Sequence, residues 1–264
     1  MQPPVTEREA QADAKGPAGD TPPLPGPDAA LFLDFDGTLV DIAQTPDQVV
    51  LPADLVPTLA RLHARLQGAV AIITGRPLGQ IDAFLAPLQL AGAGEHGAVR
   101  RLPSGELLSA PTPDLSDIAV QLDAFVQTRP GLRVERKRHG VALHYRGAPQ
   151  FEPECLSLAR ELAAPRADLA LLHGKAVVEF KPADVDKGRA LQALMQTPPF
   201  LGRAPVFLGD DTTDEAAIVA ADRLGGQGVK VGPGPSAARY RLAGPAAVLA
   251  HLQAAAARLD GFSV

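Results

Sequence analysis

The chain has 264 residues, of which 46% are hydrophobic, and carries a formal net charge of -5 with no dense Lys/Arg block. That length supports one large or two moderate domains with cores of their own, and the mild acidity argues against nucleic-acid or membrane-surface binding and for a small, soluble partner. The single cysteine, Cys155, sits in the apolar run Cys155-Leu156-Ser157-Leu158 and excludes an intrachain disulfide.

Residues 1–27 hold seven prolines and no apolar periodicity, which predicts a disordered tail. From Asp28 onward strands and helices alternate. Leu31 to Phe35 reads as a buried parallel strand that stops in the acidic, glycine-bearing turn of the run LFLDFDGTL. Leu51, Leu55, Leu59, Leu62 and Leu66 predict one apolar helical face. Ala69 to Ile73 is a second buried strand ending at Thr74-Gly75-Arg76, followed by a helix over 79–85 and a third strand over 88–93 ending near Glu95-His96-Gly97. Val99 to Leu108, with Pro103-Ser104-Gly105 at its middle, reads as a hairpin.

The pattern then changes. A helix marked by Leu115, Ile118, Leu122, Phe125 and Val126 precedes two short strands, 132–138 and 141–146; a second helix over 152–162 precedes strands at 169–172 and 175–180. This αββαββ module is bounded near residues 110 and 183. The parallel pattern resumes with a helix over 187–195, a strand over 205–208 ending in Gly209-Asp210-Asp211, a helix over 214–221, a short strand over 228–231 and an alanine-rich helix over 245–259. The expected architecture is therefore α/β: a Rossmann-like core with a parallel sheet, 28–109 and 184–264, interrupted by an α/β cap, 110–183, placed as a lid over the crevice at the strand ends. No apolar stretch approaches the roughly 18 to 20 residues that span a bilayer, and the N-terminus lacks a basic segment followed by an apolar core, so a cytoplasmic protein is expected. A monomer is the default expectation for its oligomeric state.

Chemistry concentrates at the strand ends. Asp34 and Asp36 close the first strand, and Asp210, Asp211 and Asp214 follow a later one. Carboxylates gathered so densely repel one another and call for a cation, and hard oxygen ligands without His or Cys favour Mg²⁺. Aspartates also end strands because they make turns and cap helices, which for Asp211 or Asp214 alone is an equal alternative.

DFDGTL, ITGR, the lysine of VDKGRAL and GDDTTDE stand in the order and context of the four motifs of the haloacid dehalogenase superfamily of phosphatases, and the chain resembles that superfamily across its whole core. The resemblance implies that Asp34 is the nucleophile, forming an aspartyl-phosphate. It makes Asp36 the general acid and then the general base, its pKa raised by the neighbouring Asp34. Thr74 and the amide of Gly75 would hold a phosphate oxygen, and Lys187 would neutralise the transferred group. Mg²⁺ would be held by the side chains of Asp34 and Asp210, the backbone carbonyl of Asp36, and Asp214 directly or through water.

The inserted module carries VERKRHGVALHYR and HGKAVVEFKP, which resemble the cap of the trehalose 6-phosphate phosphatases. The implied partner is a sugar phosphate, bound by Glu135, Lys137, Lys175 and Glu179 of the cap, with Arg76 and His96 facing the crevice from the core. Strand alternation agrees, since Glu135 and Lys137 share one face, as do Lys175 and Glu179. The basic run Arg136, Lys137, Arg138, His139 leaves open which cation meets the sugar. The alternatives are a phosphatase of the same superfamily for sucrose phosphate or a mannosyl phosphate, or a sugar-phosphate sensor without turnover.

Overall fold

The computed structural model describes residues 20–43, 48–174 and 176–262. The chain begins with β1 (Ala29–Leu33), α1 (Leu55–Arg65), β2 (Val70–Ile73), α2 (Leu78–Leu85), β3 (Ala91–Gly94) and the antiparallel pair β4 (Val99–Arg101) and β5 (Leu107–Ser109). It continues with α3 (Ser116–Gln127), β6 (Arg133–Arg136), β7 (Val141–His144), α4 (Glu152–Ala163), β8 (Leu169–Gly174) and β9 (Val177–Pro182). It closes with α5 (Lys187–Leu194), β10 (Ala204–Gly209), α6 (Glu215–Arg223), β11 (Gln227–Val231), β12 (Tyr240–Leu242) and α7 (Pro245–Asp260).

The large sheet runs β12-β11-β10-β1-β2-β3-β4-β5. Its strands from β12 to β3 are parallel, as the apolar, non-alternating strand sequences predict, and β4 and β5 extend it antiparallel. β1 lies at its centre, and every one of its residues is buried. Flanked by β10 and β2, it brings the segments after all three strands to one edge, although they lie far apart in sequence. The helix expected from Leu51 starts at Leu55, because Pro52 disfavours helical geometry in the residue before it. Its face of Leu55, Leu59 and Leu62 is fully buried, as is Leu66 just beyond it.

The four-stranded sheet, β6-β7-β9-β8, is antiparallel throughout and lies wholly between β5 and α5 in the chain. Alternation sends Val141, Leu143, Val178 and Phe180 to one face, where they pack with Ile118 and Leu122 of α3 and Cys155 and Ala159 of α4. This core is separate from that of the large sheet.

Two features depart from expectation. β12 was too short for any periodicity to reveal, and it pairs in parallel with β11. Residues 1–19 of the expected tail lie outside the described residues, but the stretch 20–27 is placed against the sheet edge. Asp20 donates its N–H to the Arg239 carbonyl (3.2 Å) and accepts from the Arg241 N–H (2.9 Å), and Pro22 and Pro25 are buried. A proline-rich segment suits such an edge, where missing N–H groups cost no internal ladder bond. Among the described residues, no helix is long and apolar enough to cross a membrane.

Candidate active site

Asp34 follows β1 directly, and its N–H still pairs with the Leu208 carbonyl of β10 (3.0 Å), so the carboxylate leaves the sheet at its carboxyl edge. Lys187, the first residue of α5, reaches it there. The lysine Nζ donates to Asp34 Oδ1 at 2.7 Å and to Asp214 Oδ1 at 2.6 Å, with the three residues 4%, 3% and 0% exposed in the order Asp34, Lys187, Asp214. Asp210 joins them: single carboxylate oxygens of Asp34, Asp210 and Asp214 all lie within 4.8 Å of one another. The segment after β10 is built for this. Asp211 caps a short 3₁₀ turn over Thr212–Asp214 by accepting from the Thr212 N–H (2.7 Å), while its own N–H donates to Asp214 Oδ2 (2.9 Å). Lys230 on β11 donates to the Asp210 carbonyl. Gly37 has φ +80°, and a Cβ there would fall 2.2 Å from Asp210 Oδ2, so only glycine lets the turn after Asp36 pass this close.

Electrostatics follow from the crowding. Burial pushes Asp34 up to about 8, Asp214 adds to the rise, and Lys187 only partly offsets it. Asp210 is pushed up to about 6 by burial and by Asp214 and Asp211. Burial works against the charge on Lys187, but Asp214 and Asp34 outweigh it and raise its pKa. Three acids for one ammonium leave an excess of negative charge in a poorly solvated place. The oxygen-only donor set fits a hard divalent cation.

The side chain of Asp36 lies elsewhere. Arg76 grips it with two hydrogen bonds, Nε to Oδ2 at 2.6 Å and a terminal guanidinium nitrogen to Oδ1 at 2.7 Å. The guanidinium rests near the rings of Phe35 and Phe84, 5.9 and 5.4 Å from their centroids, and also donates to Gln80 (3.3 Å). Arg76 thus holds the Asp36 carboxylate while itself lining the cavity toward the small sheet, and Asp34 is the acid that Asp214 and Asp210 crowd. Thr74 is buried after β2, where its hydroxyl accepts from the Arg76 N–H (3.1 Å). Gly75 beside it has no room for a Cβ, which would meet the His96 ring at 2.7 Å. His96 has φ +58° after Glu95 at +50°, a strained pair of non-glycine residues. Burial, with the charges of Lys187, Lys137 and Lys181, holds its pKa well below the ordinary histidine value.

A cavity of about 620 Å³ connects this edge with the small sheet, lined by Asp36, Gly75, Arg76, His96, Asp210 and Asp211 on one side. The other side is the sheet face opposite to the one packed on α3 and α4. Register explains its membership: Glu135 pairs with Ala142, which pairs with Glu179, and Arg133 pairs with His144, which pairs with Val177. Glu135, Lys137 and Glu179 therefore line the cavity together, whereas Lys175 lies outside the described residues. Lys137 Nζ meets Glu179 Oε2 at 2.5 Å, and Glu135 Oε2 meets His144 Nε2 at 2.7 Å, which together with nearby cations lowers the Glu135 pKa against the effect of burial. Parity also separates two members of the basic run. Arg136 points to the other face and pairs with Asp123 of α3, leaving Lys137 in the cavity.

Arg133, His144 and Arg146 line the cavity as well. The sequence reading left them out of its site, although Arg133, Glu135 and Lys137 at two-residue spacing carried the signal.

The family model for trehalose-phosphatase matches residues 32–246. The chain is 44% identical over 230 residues to a trehalose-6-phosphate phosphatase of Escherichia coli (strain K12), a match covering 86% of each. It is 44% identical over 207 residues to a probable trehalose-phosphate phosphatase of Sinorhizobium fredii, covering 77% of this chain and 78% of that one. Among solved structures, a trehalose-6-phosphate phosphatase related protein superposes with a TM-score of 0.73 at 28% identity, over 88% of this chain and 99% of that one. A haloacid dehalogenase-like hydrolase of B. subtilis, at 16% identity and a TM-score of 0.65 over 85% of this chain and 99% of that one, shares the fold.

Proposed function

The chain belongs to the trehalose-phosphatase family, phosphoric monoester hydrolases of the haloacid dehalogenase fold, and from that premise we propose that it hydrolyses trehalose 6-phosphate to trehalose and inorganic phosphate. The observation that carries the reading is the buried set Asp34, Lys187 and Asp214, with Asp210, opposite a cap face of charged side chains across one cavity.

Asp34 Oδ attacks phosphorus, and the bond from phosphorus to the sugar oxygen breaks. A sugar alkoxide is a poor leaving group, so Asp36 delivers a proton to that oxygen as it departs. Water then attacks the aspartyl-phosphate at phosphorus, gives its proton to Asp36, and restores Asp34. Asp36 must leave Arg76 to do this, and the substrate phosphate is a competing partner for the guanidinium. Lys187, already within hydrogen-bond reach of Asp34, neutralises charge on the transferred group, and Thr74 with the Gly75 amide holds one of its oxygens. Mg²⁺ would be held by Asp34, Asp210, the Asp36 carbonyl and Asp214, and would supply charge neutralisation for the phosphoryl oxygens.

The cap decides the sugar. Glu135, Lys137 and Glu179, with Lys175, offer charged donors and acceptors that form strong, directional bonds to disaccharide hydroxyls. The cap's boundaries near 110 and 183 and its role in specificity are part of the same proposal. Phosphate release from trehalose 6-phosphate, sucrose phosphate and glucose 6-phosphate, with and without Mg²⁺, tests it. Metal-dependent turnover favouring the trehalose ester is expected, and equal turnover of all three would refute the specificity.

A further inference from the structure

Outside the groups already assigned, one cation stands between the small sheet and Lys187. Lys181 belongs to β9 and, by alternation, to the face of Val177 and Glu179. Its ammonium donates to the Val185 carbonyl, in the linker that returns the chain from β9 to α5. A lysine is ordinarily left in water, but this one is half-buried. Burial lowers its pKa, with Asp186 and Glu179 acting in the opposite sense.

The linker is held on its other sides too. The Ala183 N–H donates to the Asp168 carbonyl at 2.9 Å, the Val185 side chain is buried, and the Asp186 carboxylate caps α5 by accepting from the Arg189 N–H at 2.8 Å. Gly97, next to His96, comes so close that a Cβ would stand 2.8 Å from the Asp186 carbonyl oxygen. Val185 precedes Lys187 by two residues, so a shift of its carbonyl moves the start of the helix that presents the lysine.

We propose that Lys181 is a positioning residue for phosphoryl transfer: by fastening the Val185 carbonyl it sets the start of α5, and with it the place of Lys187 Nζ between Asp34 and Asp214. It also braces the linker against the strand of the small sheet that it leaves, so the disposition of the cap is felt at the start of α5. The inference rests on the roles given above to Asp34 and Lys187. Displacements near 1 Å in such a site can cost about a hundredfold in rate.

The test is Lys181→Met in the full chain, which keeps the aliphatic stem and removes the donor, assayed on trehalose 6-phosphate and on p-nitrophenyl phosphate, which has no sugar for the cap to hold. The expected result is a kcat lower by about 10- to 100-fold on both substrates, with KM for the sugar phosphate within about twofold. Lys181→Arg, which keeps a donor, should restore kcat to within about threefold of wild type. A raised KM for the sugar phosphate with unchanged p-nitrophenyl phosphate turnover would make Lys181 a sugar contact and overturn the proposal. Unchanged kcat on both substrates, with only a lower melting temperature, would overturn it as well. If Lys181→Met does not fold, Lys181→Gln is judged by the same limits. The p-nitrophenyl phosphate arm decides the matter even if trehalose 6-phosphate proves not to be the substrate.

Discussion

Raising the pH of the metal-free protein from 5.5 to 8.5 will destabilise it through Asp34, and a divalent cation will abolish that loss. Without metal, burial and the charge of Asp214 hold Asp34 at about 8 in the folded state, against an ordinary value of 3.8. The folded protein then binds more protons than the unfolded chain. The contribution is fully present below the unfolded value and is lost as pH rises through the folded one. From pH 5.5 to the folded value of about 8 is about 2.5 units, which at about 1.36 kcal/mol each bounds the loss in this window at roughly 3 kcal/mol. Relaxation around a buried charge reduces this to about 1–2 kcal/mol. At about 2–4 °C per kcal/mol, the melting temperature in EDTA should fall by roughly 2–8 °C more in wild type than in Asp34→Asn over that pH range. Metal competes for the same oxygens. Burial and the neighbouring acids raise both Asp34 and Asp210 above the ordinary carboxylate value, so metal binding near pH 7 releases protons. Titration calorimetry with Mg²⁺ in buffers of different ionisation enthalpy measures that release. Parallel melting curves for wild type and Asp34→Asn in EDTA, or metal uptake at pH 7 without proton release, would refute the reasoning.

Other outcomes follow from the same geometry. Asp36→Asn keeps the shape and removes the proton, so kcat should fall by about 10²- to 10⁴-fold while substrate binding in single-turnover titrations changes little. Gly37→Ala forces a Cβ against Asp210 at a positive φ; the chain should still fold, but Mg²⁺ affinity by calorimetry should fall by at least about tenfold, and an unchanged affinity would count against Asp210 as a ligand. Glu179→Gln leaves Lys137 facing a neutral partner in the cavity and should raise KM for trehalose 6-phosphate by about tenfold or more, whereas Arg136→Ala, on the far face, should leave KM within about twofold.

Much of this could be read from residue order alone. Apolar strands followed by acidic turns at Asp34 and Asp210 announce a parallel sheet with chemistry at its carboxyl edge, because a strand buried on both faces must be apolar and ligands gather outside the strand ends. The interruption by an αββαββ module was visible as a change of period. Partnership was not. That Lys187 bridges Asp34 and Asp214, 153 and 27 residues away, depends on β1 lying between β10 and β2. That Arg76 claims Asp36 depends on a 40-residue separation closed by the pairing of β1 with β2. Local sequence specifies period and turn, which are short-range; which charges meet is set by strand order and register, and these emerge only when the two cores pack. For the same reason Lys137 faces the cavity and Arg136 does not: one residue of register separates them, and pairing with β7 decides which face each takes.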